Sequence, residues 1–93
     1  MIAGFKCKET EKIWGLQFSR KLPGDIQQKA LDKLQLLDAA LQLDHLRVPP
    51  GNRLEALKGG RKGQHSIRIN GQWRLCFQWL DGNAHEVEIV DYH

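Results

Sequence analysis

The sequence predicts an α+β domain in which two N-terminal helices pack on one face of a mainly antiparallel, four-stranded sheet. Three observations carry that prediction. Ile26, Ala30, Leu34, Leu37 and Leu41 recur at three- and four-residue intervals, the stripe of an amphipathic helix. Residues 64–69 and 73–79 alternate apolar and polar side chains on either side of Asn70-Gly71, a strong tight-turn pair. Asp81-Gly82-Asn83 marks a second hairpin turn, after which residues 85–90 form a last strand.

In chain order, residues 2–6 are a short apolar start that reads as a first strand. Residues 10–18 follow with Ile13, Trp14 and Phe18 near helical spacing, although Gly15 weakens a helix there. Leu22-Pro23-Gly24-Asp25 breaks the chain. Asp25 with Gln28 three residues on resembles a capping box, and the helix it opens is expected to end near residues 43–46. Val48-Pro49-Pro50-Gly51-Asn52 is excluded from helix interior, because each proline lacks a donor and holds its predecessor extended. Leu54 and Leu57 are apolar points in a polar segment, and Gly59-Gly60-Arg61-Lys62-Gly63 is a flexible turn. Ile67, Ile69, Trp73, Leu75, Phe77 and Trp79 share the face assigned to the core. No repeat or linker divides the 93 residues, so residues 1–93 are one domain.

Composition narrows the function classes. The 41% apolar and 27% charged fractions are those of a folded globular chain. The first six residues lack the apolar stretch of a signal peptide and no run approaches a membrane span, so a cytoplasmic protein without membrane contact is expected. Cys7 and Cys76 lie far apart without ligand spacing and are expected as reduced packing thiols. His45, His65 and His85 show no metal spacing, and residues 59–63 lack the Gly-Lys-Ser/Thr of a phosphate-cradling loop, so neither metal, cofactor nor nucleotide hydrolysis is expected.

The net charge of +3 conceals an asymmetry. Residues 47–74 hold seven basic side chains against the single acid Glu55, a balance of +6, and the remainder is −3. Arg68 and Arg74 flank the Asn70-Gly71 turn opposite the apolar face, and both are expected on the sheet surface that the helices leave open, with Lys58, Arg61 and Lys62 curling over it. Such a surface fits a phosphate backbone. The plainer alternative is a solvated basic face that keeps the chain soluble.

The terminal strand delivers Asp91, Tyr92 and His93 to the chain end. RNA cleavage through the ribose 2′-hydroxyl needs a proton acceptor, a proton donor and positive charge around the transition state. Tyr92 or His93 would handle protons, Lys58 and Arg74 would stabilise charge, and Asp91 would orient a neighbour or the RNA. A raised His93 pKa is expected from the nearby negative charge of Asp91 and the terminal carboxylate. A polar strand end, with Tyr92 simply packed, is the alternative.

The segments Asn52-Arg53-Leu54-Glu55-Ala56-Leu57-Lys58-Gly59, Gln64-His65-Ser66-Ile67-Arg68-Ile69-Asn70, Trp73-Arg74-Leu75-Cys76-Phe77 and Asp91-Tyr92-His93 resemble HigB-type toxins of the RelE/ParE superfamily, most of all the GraT-like branch. The resemblance covers nearly the whole chain. It implies a RelE-like fold and a toxin of a type II toxin-antitoxin system that enters the ribosomal A site and cuts mRNA without metal. It also implies inhibition by a HigA-type helix-turn-helix antitoxin, with DNA reached only through that complex. By the same resemblance Lys58, Arg74, Asp91, Tyr92 and His93 carry catalysis, and Arg53, Arg61, Lys62 and Arg68 are expected to meet RNA or ribosome. Glu55 stands where some relatives have histidine, and an ion pair with Arg53 is its expected role. Two further classes are a ParE-like toxin that inhibits DNA gyrase and a non-catalytic RNA-binding module. Against the latter, Trp73, Phe77 and Trp79 face the core and are not available to stack bases.

Overall fold

A computed structural model describes residues 1–92. Two helices, α1 (Lys8–Trp14) and α2 (Gly24–Ala39), precede four strands, β1 (Glu55–Ala56), β2 (Gln64–Arg68), β3 (Trp73–Leu80) and β4 (Asn83–Asp91), with short 3-10 turns at Leu43–Arg47, Pro50–Asn52 and Gly59–Arg61. The strands form an antiparallel sheet in the order β1-β2-β3-β4. The expected architecture is therefore found. The expected fourth strand, however, is a different segment.

Residues 2–6 make only isolated parallel bridges to β4, Ile2 opposite Ala84 and Phe5 opposite Val87, while the fourth strand of the sheet is β1. The reason lies at Lys8, where α1 begins and turns the chain away before a ladder is established. α1 is also displaced from its expected span. It stops at Gly15, and Leu16 adopts a left-handed φ of 65°, which leaves Phe18 outside the helix and exposed. α2 shows the expected stripe, with Ile26, Ala30, Leu34 and Leu37 buried. It ends at Ala39, short of the expected limit, and Leu41 falls outside it and is exposed. No side chain caps its start, because the helix begins one residue before Asp25 with Pro23 at the cap position, and Gln28 donates to Asp32 Oδ1 at 3.1 Å.

Leu34 and Leu37 of α2, Ile13 of α1, and Ile67, Leu75, Phe77, Val87 and Ile89 of the sheet form one apolar core. Burying each such side chain contributes roughly 1.5–3 kcal/mol. Trp73 and Trp79 are partly buried against that core and Phe77 is fully buried, as their alternation predicts. A register shift between Cys76 and Gln78, with Glu86 at φ 52°, marks a bulge in the β3–β4 pair.

The outer edge of β4 is covered by main chain and one hydroxyl. Ala3 N donates to Ala84 O, Ala84 N to Met1 O, Val87 N to Gly4 O and Lys6 N to Val87 O. Further along, Ile89 N donates to Thr10 Oγ1 of α1 at 3.0 Å. At the other end of the strand, Tyr92 N donates to Gln72 O at 2.6 Å, tying the Asp91-Tyr92 segment to the turn before β3.

Candidate active site

The open sheet face carries the polar partners of the core alternation. Ser66 of β2 lies opposite Cys76 of β3, and Cys76 lies opposite Glu88 of β4. Arg74 extends across this face and is only 7% exposed. Its Nε donates to Ser66 Oγ at 2.8 Å, and its Nη2 donates to Arg53 O at 2.6 Å and to Ser66 O at 3.4 Å. Arg53 presents that carbonyl from a left-handed backbone, with φ 46° and ψ 58°. A guanidinium clamped from a neighbouring strand and a loop is held in one orientation, so its charge is fixed in space and not carried on a mobile arm.

Two side chains meet that fixed charge. The Tyr92 ring lies with its centroid 5.7 Å from Arg74 Cζ, and Tyr92 is 42% exposed, so the phenol stands at the surface above the guanidinium. Glu55 of β1 approaches from the other side, with Oε1 3.6 Å from Arg74 Nη2. The expected Glu55–Arg53 ion pair is thus replaced by Glu55–Arg74. Register explains the exchange: Glu55 pairs with Ser66, the same residue that holds Arg74. Glu55 is the site member that sequence reasoning placed elsewhere, and its two-residue strand was too short to show a periodicity.

Asp91 closes β4 opposite Trp73, and its Oδ2 accepts from Gln72 Nε2 at 3.2 Å. Lys58 is exposed at the head of the 59–61 turn, directly beyond β1. His93, with its expected pKa and proton role, lies outside the described residues.

The basic loop divides. Arg61 reaches β4 and donates from Nη1 to Glu88 Oε1 at 2.7 Å and to Gln64 Oε1 at 3.1 Å. That carboxylate, which also pairs with Lys6 at 3.7 Å, strengthens the hold of Arg61 on its proton. Arg61 therefore curls over the open face as expected, with much of its charge answered by Glu88. Lys62 is exposed beside it. Beneath them the Cys76 thiol is fully buried, and burial pushes its pKa up, which suits a packing thiol. Both cysteines are free.

Arg68 is the register partner of Arg74 and the last residue of β2. Its Nε donates to Asn70 O at 3.1 Å and its Nη2 lies beside Gly71, so the arm is held at the β2–β3 turn, at the margin of the Arg74 site. Among the described residues no group of three or more histidine, cysteine or acidic side chains is arranged to hold a metal.

Residues 4–93 match a family of RelE-like toxins of the type II toxin-antitoxin system HigB. The chain belongs to the HigB-like toxin family. Toxin HigB-1 of Vibrio cholerae is 52% identical over 65 residues, which is 70% of this chain and 68% of the relative. Endoribonuclease HigB of Proteus vulgaris is 31% identical over 93 residues, the full length of both. Solved structures share the RelE-type fold. A YafQ mutant from E. coli superposes with a TM-score of 0.63 at 14% identity, covering 98% of this chain and 93% of that one. A chain of the heterotetrameric YoeB-YefM toxin-antitoxin complex of Staphylococcus aureus gives a TM-score of 0.62 at 21% identity, covering 100% of this chain and 98% of that one. For this HigB-like chain, the site built around Arg74 lies on the open face of the shared fold.

Proposed function

We propose that this HigB-like toxin is an endoribonuclease that cuts mRNA on the ribosome and is neutralised by a HigA-type antitoxin. The observation that carries the reading is the fixed Arg74 guanidinium with Tyr92 above it and Glu55 beside it. The name of the Proteus vulgaris relative, an endoribonuclease, and the toxin-antitoxin complex of the YoeB neighbour support it.

The chemistry follows from the substrate. The ribose 2′-hydroxyl attacks the adjacent phosphorus and gives up its proton, the phosphorus–O5′ bond breaks, and the departing oxygen takes up a proton. The products are a 2′,3′-cyclic phosphate and a 5′-hydroxyl. Glu55 supplies a half-exposed carboxylate able to accept the first proton, and Tyr92 or His93 handles the second. Arg74, with Lys58 beyond the end of β1, answers the charge that develops on the phosphate. Asp91, tied to Gln72, steadies the segment that bears Tyr92. Arg53, Arg61 and Lys62 add contacts to the RNA backbone, Arg61 less strongly because Glu88 already engages it. Ribosome dependence fits an open and sparsely equipped face, since the ribosome then supplies the geometry of the substrate.

The test is mRNA cleavage on programmed ribosomes with no added metal, comparing wild type with Arg74→Gln, Tyr92→Phe and His93→Ala. Arg74→Gln is expected to lower the cleavage rate by about 10²–10³-fold, the scale of losing one transition-state donor. Intact mRNA with folded wild-type protein would move the reading to gyrase inhibition or to RNA binding without cleavage.

A further inference from the structure

Glu88 gathers two cations that are remote from it in sequence. Arg61 donates from Nη1 to its Oε1 at 2.7 Å, and Lys6 Nζ lies 3.7 Å from the same oxygen. Two positive charges on one carboxylate leave a positive surplus. Lys6 is brought there by its main chain, since its N–H donates to Val87 O and so seats the residue beside Glu88 at the outer edge of β4. The Glu88 side chain is 15% exposed and that of Lys6 51%, so the carboxylate is the inner member and the ammonium faces solvent. Arg61 commits only Nη1, to Glu88 and to Gln64 Oε1. Among the described residues its Nε and Nη2 donate to none, and neither is buried.

This group stands on the same sheet face as the Arg74 site. Glu88 is opposite Cys76 and Cys76 opposite Ser66, which holds Arg74, so two strand spacings of about 5 Å each separate the two anchor points. Burial raises the pKa of the intervening Cys76 thiol, while Arg61, Arg74 and Lys6 all pull against that rise, which places the three cations around one point of the sheet. Tyr92 joins the two halves, with its ring at Arg74 and its phenol within electrostatic reach of Arg61. We infer that Lys6 and Arg61, bridged by Glu88, form a second phosphate site on this face, which takes a backbone phosphate further along the RNA strand from the one at Arg74. RNA is favoured over an acidic protein segment because both positive points share one open face with Tyr92 beside them, where the substrate strand has to pass. The assignment rests on the nuclease reading for its occupant but not for its existence as an anion site. Glu88 acts as a positioning residue, holding the two cations in place so that less side-chain freedom is lost when the phosphate arrives.

Two measurements on the full chain separate the possibilities. In an NMR titration with inorganic phosphate, the Arg61 Nε–H and the Gln64 side-chain amide are expected to shift saturably in wild type, with saturation moved to higher phosphate in Lys6→Gln. Absent shifts in wild type, or the same saturation in the variant, overturn the site. Binding of a 2′-O-methyl RNA oligomer, which is not cleavable, is then followed against salt. Lys6→Gln is expected to weaken binding about three- to tenfold and to reduce the log–log salt slope by about 0.7, the loss of one single-strand phosphate contact. The same loss is expected when Lys6→Gln is added to Glu88→Gln. A Lys6 that served only to neutralise Glu88 would have no effect in that background, and that result overturns the site. Lys29→Gln on α2, on the far side of the sheet, serves as the control with unchanged binding. If Arg74→Gln weakens binding while Lys6→Gln and Arg61→Gln leave affinity and slope unchanged, the second site is overturned and the nuclease reading stands. Where wild type engages RNA only on the ribosome, the toxin concentration for half-maximal cleavage replaces oligomer affinity, and a value unchanged by Lys6→Gln overturns the site. If phosphate shifts Arg61 but wild type neither binds the oligomer nor cuts mRNA on the ribosome, the anion site stands and the nuclease reading falls. Weakened capture of an acidic peptide by Lys6→Gln, with RNA binding intact, overturns RNA as the occupant.

Discussion

Ser66 shows how much of the candidate site depends on a residue with no chemistry of its own. Its hydroxyl accepts from Arg74 Nε and its carbonyl from Nη2, so it fixes the plane of the guanidinium while being fully buried. Ser66→Ala is expected to lower cleavage about tenfold with little change in substrate affinity, and Ser66→Thr to restore part of it; the split between kcat and KM, together with sharpening or broadening of the Arg74 Nε–H resonance, checks the positioning role. His65, the neighbour on the opposite face, behaves differently. Its ring stacks on Phe77 with centroids 6.2 Å apart, its Nδ1 has no hydrogen-bond partner among the described residues, and burial lowers its pKa. The folded state thus prefers neutral imidazole, whereas the unfolded chain protonates near the ordinary value of about 6.5. The stability linked to His65 is present above that value and lost as pH falls through the lower folded value. Urea unfolding at pH 7.5 and pH 5 is expected to show a loss on acidification that is smaller in His65→Gln.

Among the elements, β4 depends most on neighbours that are remote in sequence. Thr10 is 79 positions from Ile89, yet its buried hydroxyl accepts the Ile89 N–H and so joins α1 to the strand that ends in the site. Thr10→Val keeps the shape and removes the acceptor, leaving a buried donor unpaired. A loss of about 1–3 kcal/mol is expected in denaturant unfolding. The loop between the helices is held in a similar manner. Gln27 accepts from Ser19 N and donates to Ser19 O and Leu22 O, while Ser19 Oγ donates to Glu9 Oε1 at 2.6 Å and thereby lowers the Glu9 pKa. None of these polar pairings follows a local period, so sequence reading saw a proline-glycine break there and no more. By contrast the α2 stripe and the two turns bounding β3 were legible, because their period and turn chemistry are local properties.

At the scale of the whole molecule, the +6 segment does not act as one patch. Arg74 becomes wall, Arg61 is paired with Glu88, Arg68 is held at the β2–β3 turn, and Lys58 and Lys62 stay exposed. The first six residues guard the opposite edge of the sheet by bonding to β4. Removing residues 1–6 uncovers unpaired main-chain groups on that strand, and an exposed edge invites pairing with another copy. Sedimentation velocity is expected to show self-association of the shortened chain under conditions where the full chain does not associate.

What the sequence by itself determined is the set of properties encoded within a few residues: the amphipathic helix, the alternating strands with their tight turns, the inward aromatic side chains, and the motifs that mark a HigB-like chain. What only the tertiary structure decided is which charges meet. Arg68 and Arg74 have the same strand parity, yet one is held at the β2–β3 turn and the other under a tyrosine, because Arg68 at the strand end finds the Asn70 carbonyl whereas Arg74 is clamped by Ser66 and the Arg53 carbonyl. Glu55 met Arg74 and not Arg53 because cross-strand register, set by the packing of the entire sheet, fixes the neighbours of each side chain.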